Sequence, residues 1–135
     1  MALIRALWAR LGRRGASLLW FGLLDSVYGL SLASPPAEAR GSVSLRWVAT
    51  VAPLWLWAVL WLTAGILCLV QAWTYSDRLA FTAAIAVKVA WACVFTAGSI
   101  LIDLDRGYVS AVIWFAFAAF VAIIASWPEP WTPDR

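Results

Sequence analysis

The sequence contains no histidine and few charged residues, and both scarcities restrict what the protein can do. Charged residues make up 13% of the 135 residues, whereas hydrophobic residues make up 64%. Without histidine, the chain lacks the commonest general base and the commonest metal ligand. An average soluble domain is about 25% charged, and so short a soluble chain cannot bury this much apolar surface in one core. We therefore expect lipid to form part of the solvent.

Cysteine is nearly absent, and sequence motifs for chemistry are missing altogether. Cys68 and Cys93 are the only two cysteines, and they lie in separate apolar runs. Their spacing excludes zinc and thioredoxin-like sites and indicates small packing residues. The sequence holds no Ser/His/Asp set, no glycine-rich phosphate loop and no GxSxG motif. We expect a protein that is not an enzyme and that uses no cofactor or metal.

Four long apolar stretches predict an all-α membrane protein whose four transmembrane helices form a bundle. About 20 residues are needed to span the roughly 30 Å of hydrocarbon in a bilayer. No stretch alternates with the period of two that a strand requires. Pro53 falls in the first turns of the second stretch, where a missing N–H does little harm. The single transmembrane domain covers residues 16–127, with spans at residues 16–33, 48–72, 79–102 and 108–127.

The two ends of the chain differ from this central domain. Residues 1–15 place apolar side chains at helical spacing with arginines between them, which is typical of an amphipathic helix on the membrane surface. A disordered leader is the alternative. Residues 128–135 are rich in proline and should form an extended tail. The membrane-surface arginines are Arg5, Arg10, Arg13 and Arg14. Because an apolar run follows them at once, they indicate a membrane flank and not nucleic-acid binding.

Counts of Lys and Arg near the span ends predict the orientation. With the N-terminus inside, the inner side carries six arginines (5, 10, 13, 14, 78 and 135) and the outer side three (40, 46 and 106). Four spans then place both termini in the cytoplasm. The competing hypothesis is that the first stretch is a signal peptide cleaved after Ser31-Leu32-Ala33, which would leave three spans. Asp25 within the apolar core argues against it.

Two charges lie inside the predicted spans. If the first span starts near Gly15 and the third near Arg78, then Asp25 and Lys88 each lie about 15 Å along their helices. With the N-terminus inside, both spans run the same way, so the two groups reach one level of the membrane. A charge inside a membrane usually faces a partner. We predict a buried ion pair, which either fixes helix register or opens as a switch.

Small residues predict where helices pack. Gly22 and Gly29 lie on the same helical face as Asp25 and would let a second backbone approach. Alanine seams run along the third and fourth spans, and whether their partner is the same chain or another copy stays open. The residues of these seams are Ala83, Ala86, Ala90, Cys93 and Ala97, followed by Ala111, Ala118, Ala122 and Ala125. The acidic turns, Asp103 with Asp105 and Asp77 with Arg78, are typical of solvated connections.

Several short motifs resemble a group of small multi-span membrane proteins of actinobacterial phages and prophages. They are Pro53-Leu54-Trp55-Leu56-Trp57, Gly65, Arg106-Gly107-Tyr108-Val109-Ser110-Ala111 and Trp127-Pro128-Glu129-Pro130, and they cover residues 53–130. Some members of this group are holins, which oligomerise in the bacterial inner membrane and release an endolysin. The resemblance implies holin-like permeabilisation of a host cell membrane. The chain has more spans than the best-described holins, which have one to three.

Two other functions remain compatible with the sequence. The chain could be a membrane-embedded assembly or partner-binding subunit of a larger complex, or a small channel or transporter with Asp25 and Lys88 along a polar route. In each case the expected partners are the lipid bilayer and either further copies of the chain or other membrane subunits. No nucleic acid and no small-molecule substrate is indicated.

Overall fold

The computed structural model describes residues 2–74 and 76–128, with side chains from Leu11 onward. Most of these residues are helical. No strand occurs within these residues. Four helical segments, beginning with Leu11–Ala33, are long and apolar enough to cross a membrane. The prediction of an all-helical chain with four such segments is confirmed. The helices are α1 (Ala2–Ala33), α2 (Ala37–Arg40), α3 (Val43–Val51), α4 (Leu54–Gln71), α5 (Arg78–Leu101) and α6 (Gly107–Ala125).

The predicted second span is not one helix, and this part of the prediction is wrong. Helix α3 ends at Val51, Ala52 adopts an extended conformation (φ −157°, ψ 151°), and Pro53 caps the start of α4. The proline ring disfavours helical geometry in the residue before it, so the chain breaks at Ala52 instead of running through. Residues 34–47, which lie between the first two predicted spans, contain α2 and the first half of α3.

The N-terminal segment is helical but does not continue straight into the first span. Gly12 interrupts α1 with φ 53° and ψ −176°, a conformation that glycine adopts without strain. Residues before this break therefore leave the axis of the span. Placement of residues 1–15 on the membrane surface stays a prediction, because the first ten side chains lie outside the described residues. The predicted extended tail lies outside them as well, apart from Pro128.

Helices α1 and α4 approach each other closely through glycines spaced seven residues apart. A Cβ atom built on any of these glycines would come within 2.6–3.1 Å of a carbonyl oxygen of α4 or of Ala72, which follows it. These distances are shorter than nearly all real Cβ contacts, so the approach depends on glycine. A seven-residue repeat keeps one face of a helix turned toward its neighbour. The glycines are Gly15, Gly22 and Gly29, and they face Ala72, Gly65 and Ala58 in that antiparallel order.

Helix α3 packs on α5 through Trp47. This contact lies at the end of the bundle opposite to the start of the first span. The indole Nε1 of Trp47 donates a 2.8 Å hydrogen bond to the carbonyl oxygen of Val94. Gly98 lies beneath that ring, since a Cβ there would come within 2.8 Å of the same nitrogen. These contacts position the short helix across the end of α5.

Gly65→Ala tests the close approach of α1 and α4. The new Cβ would lie 2.7 Å from the backbone nitrogen of Ser26, so the two helices must separate. We expect the free energy of unfolding to fall by about 1–3 kcal/mol, measured by denaturant titration in mixed micelles. Gly41→Ala is the matched control, because its nearest neighbouring atom is 3.9 Å away. Equal effects of the two substitutions would contradict this packing.

Candidate functional site

The centre of the bundle holds an ion pair between α1 and α5. Lys88 Nζ lies 2.6 Å from Asp25 Oδ1 and 2.8 Å from Asp25 Oδ2, so the ammonium donates to both carboxylate oxygens. Both side chains are completely buried. These are the two residues that the sequence places at one level of the membrane. The pair removes two charges from contact with lipid, where each would cost at least about 2.5–3.5 kcal/mol on insertion scales.

Aromatic rings enclose this ion pair. The Lys88 ammonium lies 5.3 Å from the ring centroid of Trp61 and 5.9 Å from that of Phe21, distances at which a cation is attracted to a ring face. One turn along α1, the Tyr28 hydroxyl accepts a 3.1 Å hydrogen bond from Trp91 Nε1. The Tyr28 ring also packs against Trp61, with 4.6 Å between the ring centroids, and against Trp114. Trp57, Trp91 and Trp114 extend this aromatic cluster around Tyr28 and Trp61. Trp55 is exposed instead.

A second ion pair lies at the end of the bundle where the first span begins. The Arg14 guanidinium donates through Nε and Nη2 to the two carboxylate oxygens of Asp77, at 2.8 and 2.7 Å. Its Nη1 donates to the Trp127 carbonyl oxygen, and the group lies 5.0 Å from the Phe81 ring centroid. One side chain thus joins α1, the turn before α5 and the end of α6.

The interpretation of Asp77 and Arg78 as a solvated turn is correct for Arg78 and wrong for Asp77. Arg78 is exposed, whereas only 7% of Asp77 is exposed. Asp77 is shielded because Arg14 reaches it from α1, 63 residues earlier in the chain. Arg14 itself is 8% exposed, unlike its neighbour Arg13, which faces outward as a membrane-surface arginine would. The side chains of Arg5 and Arg10 lie outside the described residues.

A constant register relates α1 to α5. The hydrogen bonds from Arg14 to Asp77, from Lys88 to Asp25 and from Trp91 to Tyr28 each join residues 63 positions apart. A constant difference means that the helices run parallel and in step. The two ion pairs are separated by 11 residues, or about 16 Å along the axis. The site is therefore a ladder of polar contacts along one helix pair.

The predicted packing residues divide between the inside and the outside of the bundle. Gly22 and Gly29 contact α4 as described above, and Ala111 and Ala118 are buried. Ala86, Cys93 and Ala122 are exposed, and Ala83, Ala90, Ala97 and Ala125 are half-buried. The face of α5 that packs inside the chain is a different one, built on Ala80, Ala84, Val87, Trp91 and Ala92.

The described side chains of the site bring opposite charges into direct contact. In the part of the chain that the structure describes, no group of three or more Cys, Asp or Glu side chains could hold a metal ion. The described residues also leave three buried polar atoms without a hydrogen-bond partner, namely Ser26 Oγ, Trp57 Nε1 and Trp61 Nε1.

Sequence reasoning missed three contributors to this site. The Arg14–Asp77 pair had a signal, because Arg14 precedes Asp25 by the same 11 residues that separate Asp77 from Lys88. Gly15 also had one, since it precedes Gly22 by seven residues. The aromatic enclosure was marked by Trp57 and Trp61, which recur at helical spacing on the face of α4 that also carries Gly65.

Comparisons with models of protein families, with curated proteins and with solved structures give no match to this chain. The fold and the site therefore define the protein by themselves: a helical chain with four segments able to cross a membrane and a sealed ion pair between two of them.

Single substitutions in the central ion pair should be far more damaging than the paired substitution. Asp25→Asn leaves the Lys88 ammonium buried without a partner, and Lys88→Met leaves the Asp25 carboxylate in the same state. We therefore expect each single substitution to lower the free energy of unfolding by about 3–5 kcal/mol. Replacing both leaves two neutral side chains, and we expect a loss well below the sum of the single effects. Denaturant titration in mixed micelles measures all three variants. A strictly additive double variant would refute direct coupling.

Neighbouring arginines provide a test of the second pair. Arg14→Gln leaves Asp77 buried without its partner, and we expect the free energy of unfolding to fall by about 3 kcal/mol. Arg13→Gln, one residue earlier and exposed, should change it by less than about 0.5 kcal/mol. Both are measured in neutral detergent without added lipid. The assigned contacts are incorrect if the two variants unfold alike.

Proposed function

We propose that this chain is a holin-like membrane protein that acts without catalysis, oligomerising in the bacterial inner membrane to permeabilise it. Both termini lie in the cytoplasm, with the arginine-rich N-terminus on the inner leaflet. The proposal is supported by four apolar helices, by the Lys and Arg distribution and by the resemblance of residues 53–130 to phage membrane proteins.

The observation that carries the proposal is a groove on the outer surface of the bundle between α4 and α5. It has a volume of about 330 Å³. On the α5 side, the groove contains part of the alanine seam, in which Ala86 is exposed and Ala83 and Ala90 are half-buried. Small residues on an exposed helix face allow another helix to approach closely, which is how helices associate in membranes. The groove is lined by Leu60, Thr63, Ala64, Ala83, Ala86, Val87 and Ala90.

The proposed mechanism links this groove to the central ion pair. Asp25 and Lys88 hold α1 beside α5 and keep the bundle closed around the aromatic rings. While the pair is intact, copies of the chain accumulate and associate through the groove. Protonation of Asp25 neutralises the carboxylate and leaves an unpaired charge on Lys88, whereas a change in membrane voltage that separates the pair leaves both charges unpaired. In either case an unpaired charge favours a water-filled opening over lipid. Permeabilisation follows from rearranged helices and not from a reaction.

The groove would also suit a helix of another membrane protein, so a partner-binding subunit is the second candidate. The channel or transporter hypothesis has less support, because Asp25 and Lys88 are both completely enclosed and line no route open to water. The two remaining candidates differ in whether the chain acts alone.

Inducible expression in a bacterial host separates them. We expect wild-type protein to collapse the membrane potential and stop growth, since association needs only further copies of the chain. Ala86→Leu fills the groove and should delay the collapse several-fold, whereas Ala119→Leu, at an exposed position of α6 outside the seam, should leave its timing unchanged. Unimpaired growth and potential at high expression would refute the holin-like function.

The cysteines allow self-association to be followed in the same cells. Cys93 is exposed on the alanine seam of α5, whereas Cys68 is completely buried. Mild oxidation should therefore cross-link two copies through Cys93, and the covalent dimer should vanish in Cys93→Ser and weaken in Ala86→Leu. Absence of a dimer while the chain co-purifies with one defined protein would favour the partner-binding subunit.

A further inference from the structure

A basic cavity lies at the end of the bundle where the first span begins. It has a volume of about 480 Å³ and is open on one side. Gly12, where α1 is interrupted, is one of the residues that line it. The lining residues are Gly12, Arg13, Arg14, Trp127 and Pro128. The cavity is distinct from the central ion pair, which lies about 16 Å further along α1.

The ends of the apolar helices place this cavity at the level of lipid headgroups. The first membrane-crossing segment starts at Leu11, α4 ends at Gln71, α5 starts at Arg78 and α6 ends at Ala125. All four ends lie on the same side of the bundle, and the cavity lies beside them. Trp127 is 39% exposed there, as is typical of tryptophan at a membrane interface.

The two arginines of the cavity have different roles. The charge of Arg14 is balanced by Asp77, and its guanidinium also holds the Trp127 carbonyl, so it fixes one wall in place. Within residues 11–74 and 76–128, the guanidinium of Arg13 makes no hydrogen bond or ion pair. Arg13 therefore adds a positive charge that Asp77 does not balance, and the other residues that line the cavity are Gly12, Trp127 and Pro128.

We propose that this cavity binds the phosphate headgroup of an anionic phospholipid. Arginine donates paired hydrogen bonds to phosphate oxygens, and basic pockets between membrane helices suit anionic headgroups. The apolar rings of Trp127 and Pro128 offer a surface to the glycerol and upper acyl chain, which a free phosphate ion lacks. The site lies at the end of the bundle where the first span begins and uses neither the groove nor the central ion pair, so it stands independently of the holin-like function.

Native mass spectrometry of the purified full chain in neutral detergent tests the site. The probes are phosphatidylglycerol, phosphatidylcholine with the same acyl chains, and inorganic phosphate. We expect wild-type protein to bind phosphatidylglycerol preferentially. Arg13→Gln should weaken that binding about fivefold, as expected for about 1 kcal/mol per basic side chain near a membrane surface. Arg13→Lys, which keeps the charge, should retain most of it.

Arg46→Gln is the matched control, because Arg46 is also exposed but lies on α3 at the opposite end of the bundle. It should bind phosphatidylglycerol as wild type does. The proposal is overturned if Arg13→Gln binds normally, if Arg46→Gln loses as much affinity, or if phosphatidylcholine binds equally well. Inorganic phosphate that competes with phosphatidylglycerol at similar concentration would assign the cavity to free phosphate and also overturn the lipid site.

Discussion

The parallel register of α1 and α5 is the constraint on which the rest of the structure depends. Asp25 and Lys88 are tolerated in an apolar bundle only because each neutralises the other. The order of charges also specifies where the helices meet. Helix α1 carries a base followed by an acid, and the segment from Asp77 into α5 carries an acid followed by a base, at equal spacing. A shift of 11 residues would set Arg14 against Lys88 or Asp25 against Asp77, so the wrong register is penalised by repulsion.

Helix α1 packs against α4 and α5 through two chemically different faces. Toward α4 it presents glycines at seven-residue intervals, so backbone meets backbone and dispersion forces act over the whole length. Toward α5 it presents the charges and Tyr28, which fix position instead of adding contact area. The close approach to α4 permits only a few positions of α1 relative to α4. The polar contacts with α5 then determine which of these positions α1 adopts. Large aromatic rings then close the space that remains around Lys88.

The features predictable from sequence were those that depend on one helix at a time. Spans, the level of Asp25 and Lys88, and the packing role of Gly22 and Gly29 follow from length, charge and helical spacing. The break at Ala52 was missed because apolar composition outweighed the steric effect of Pro53 on the preceding residue. The burial of Asp77 could not be read from its own turn, since the partner is 63 residues away. The alanines of α5 that face inward are set by the rotation of α5 about its own axis. Lys88 and Trp91 determine that rotation through their contacts with α1.

The separation of Asp25 and Lys88 along the chain has a consequence for synthesis at the ribosome. The partner of the acid lies 63 residues later, so at about 5–20 residues per second α1 waits several seconds before α5 emerges. During that interval the glycine face can already join α4, while the carboxylate has no lysine to meet. A first span that entered a bilayer before α5 was made would carry its carboxylate without a partner, at a cost of about 2.5–3.5 kcal/mol on insertion scales, until the lysine arrived.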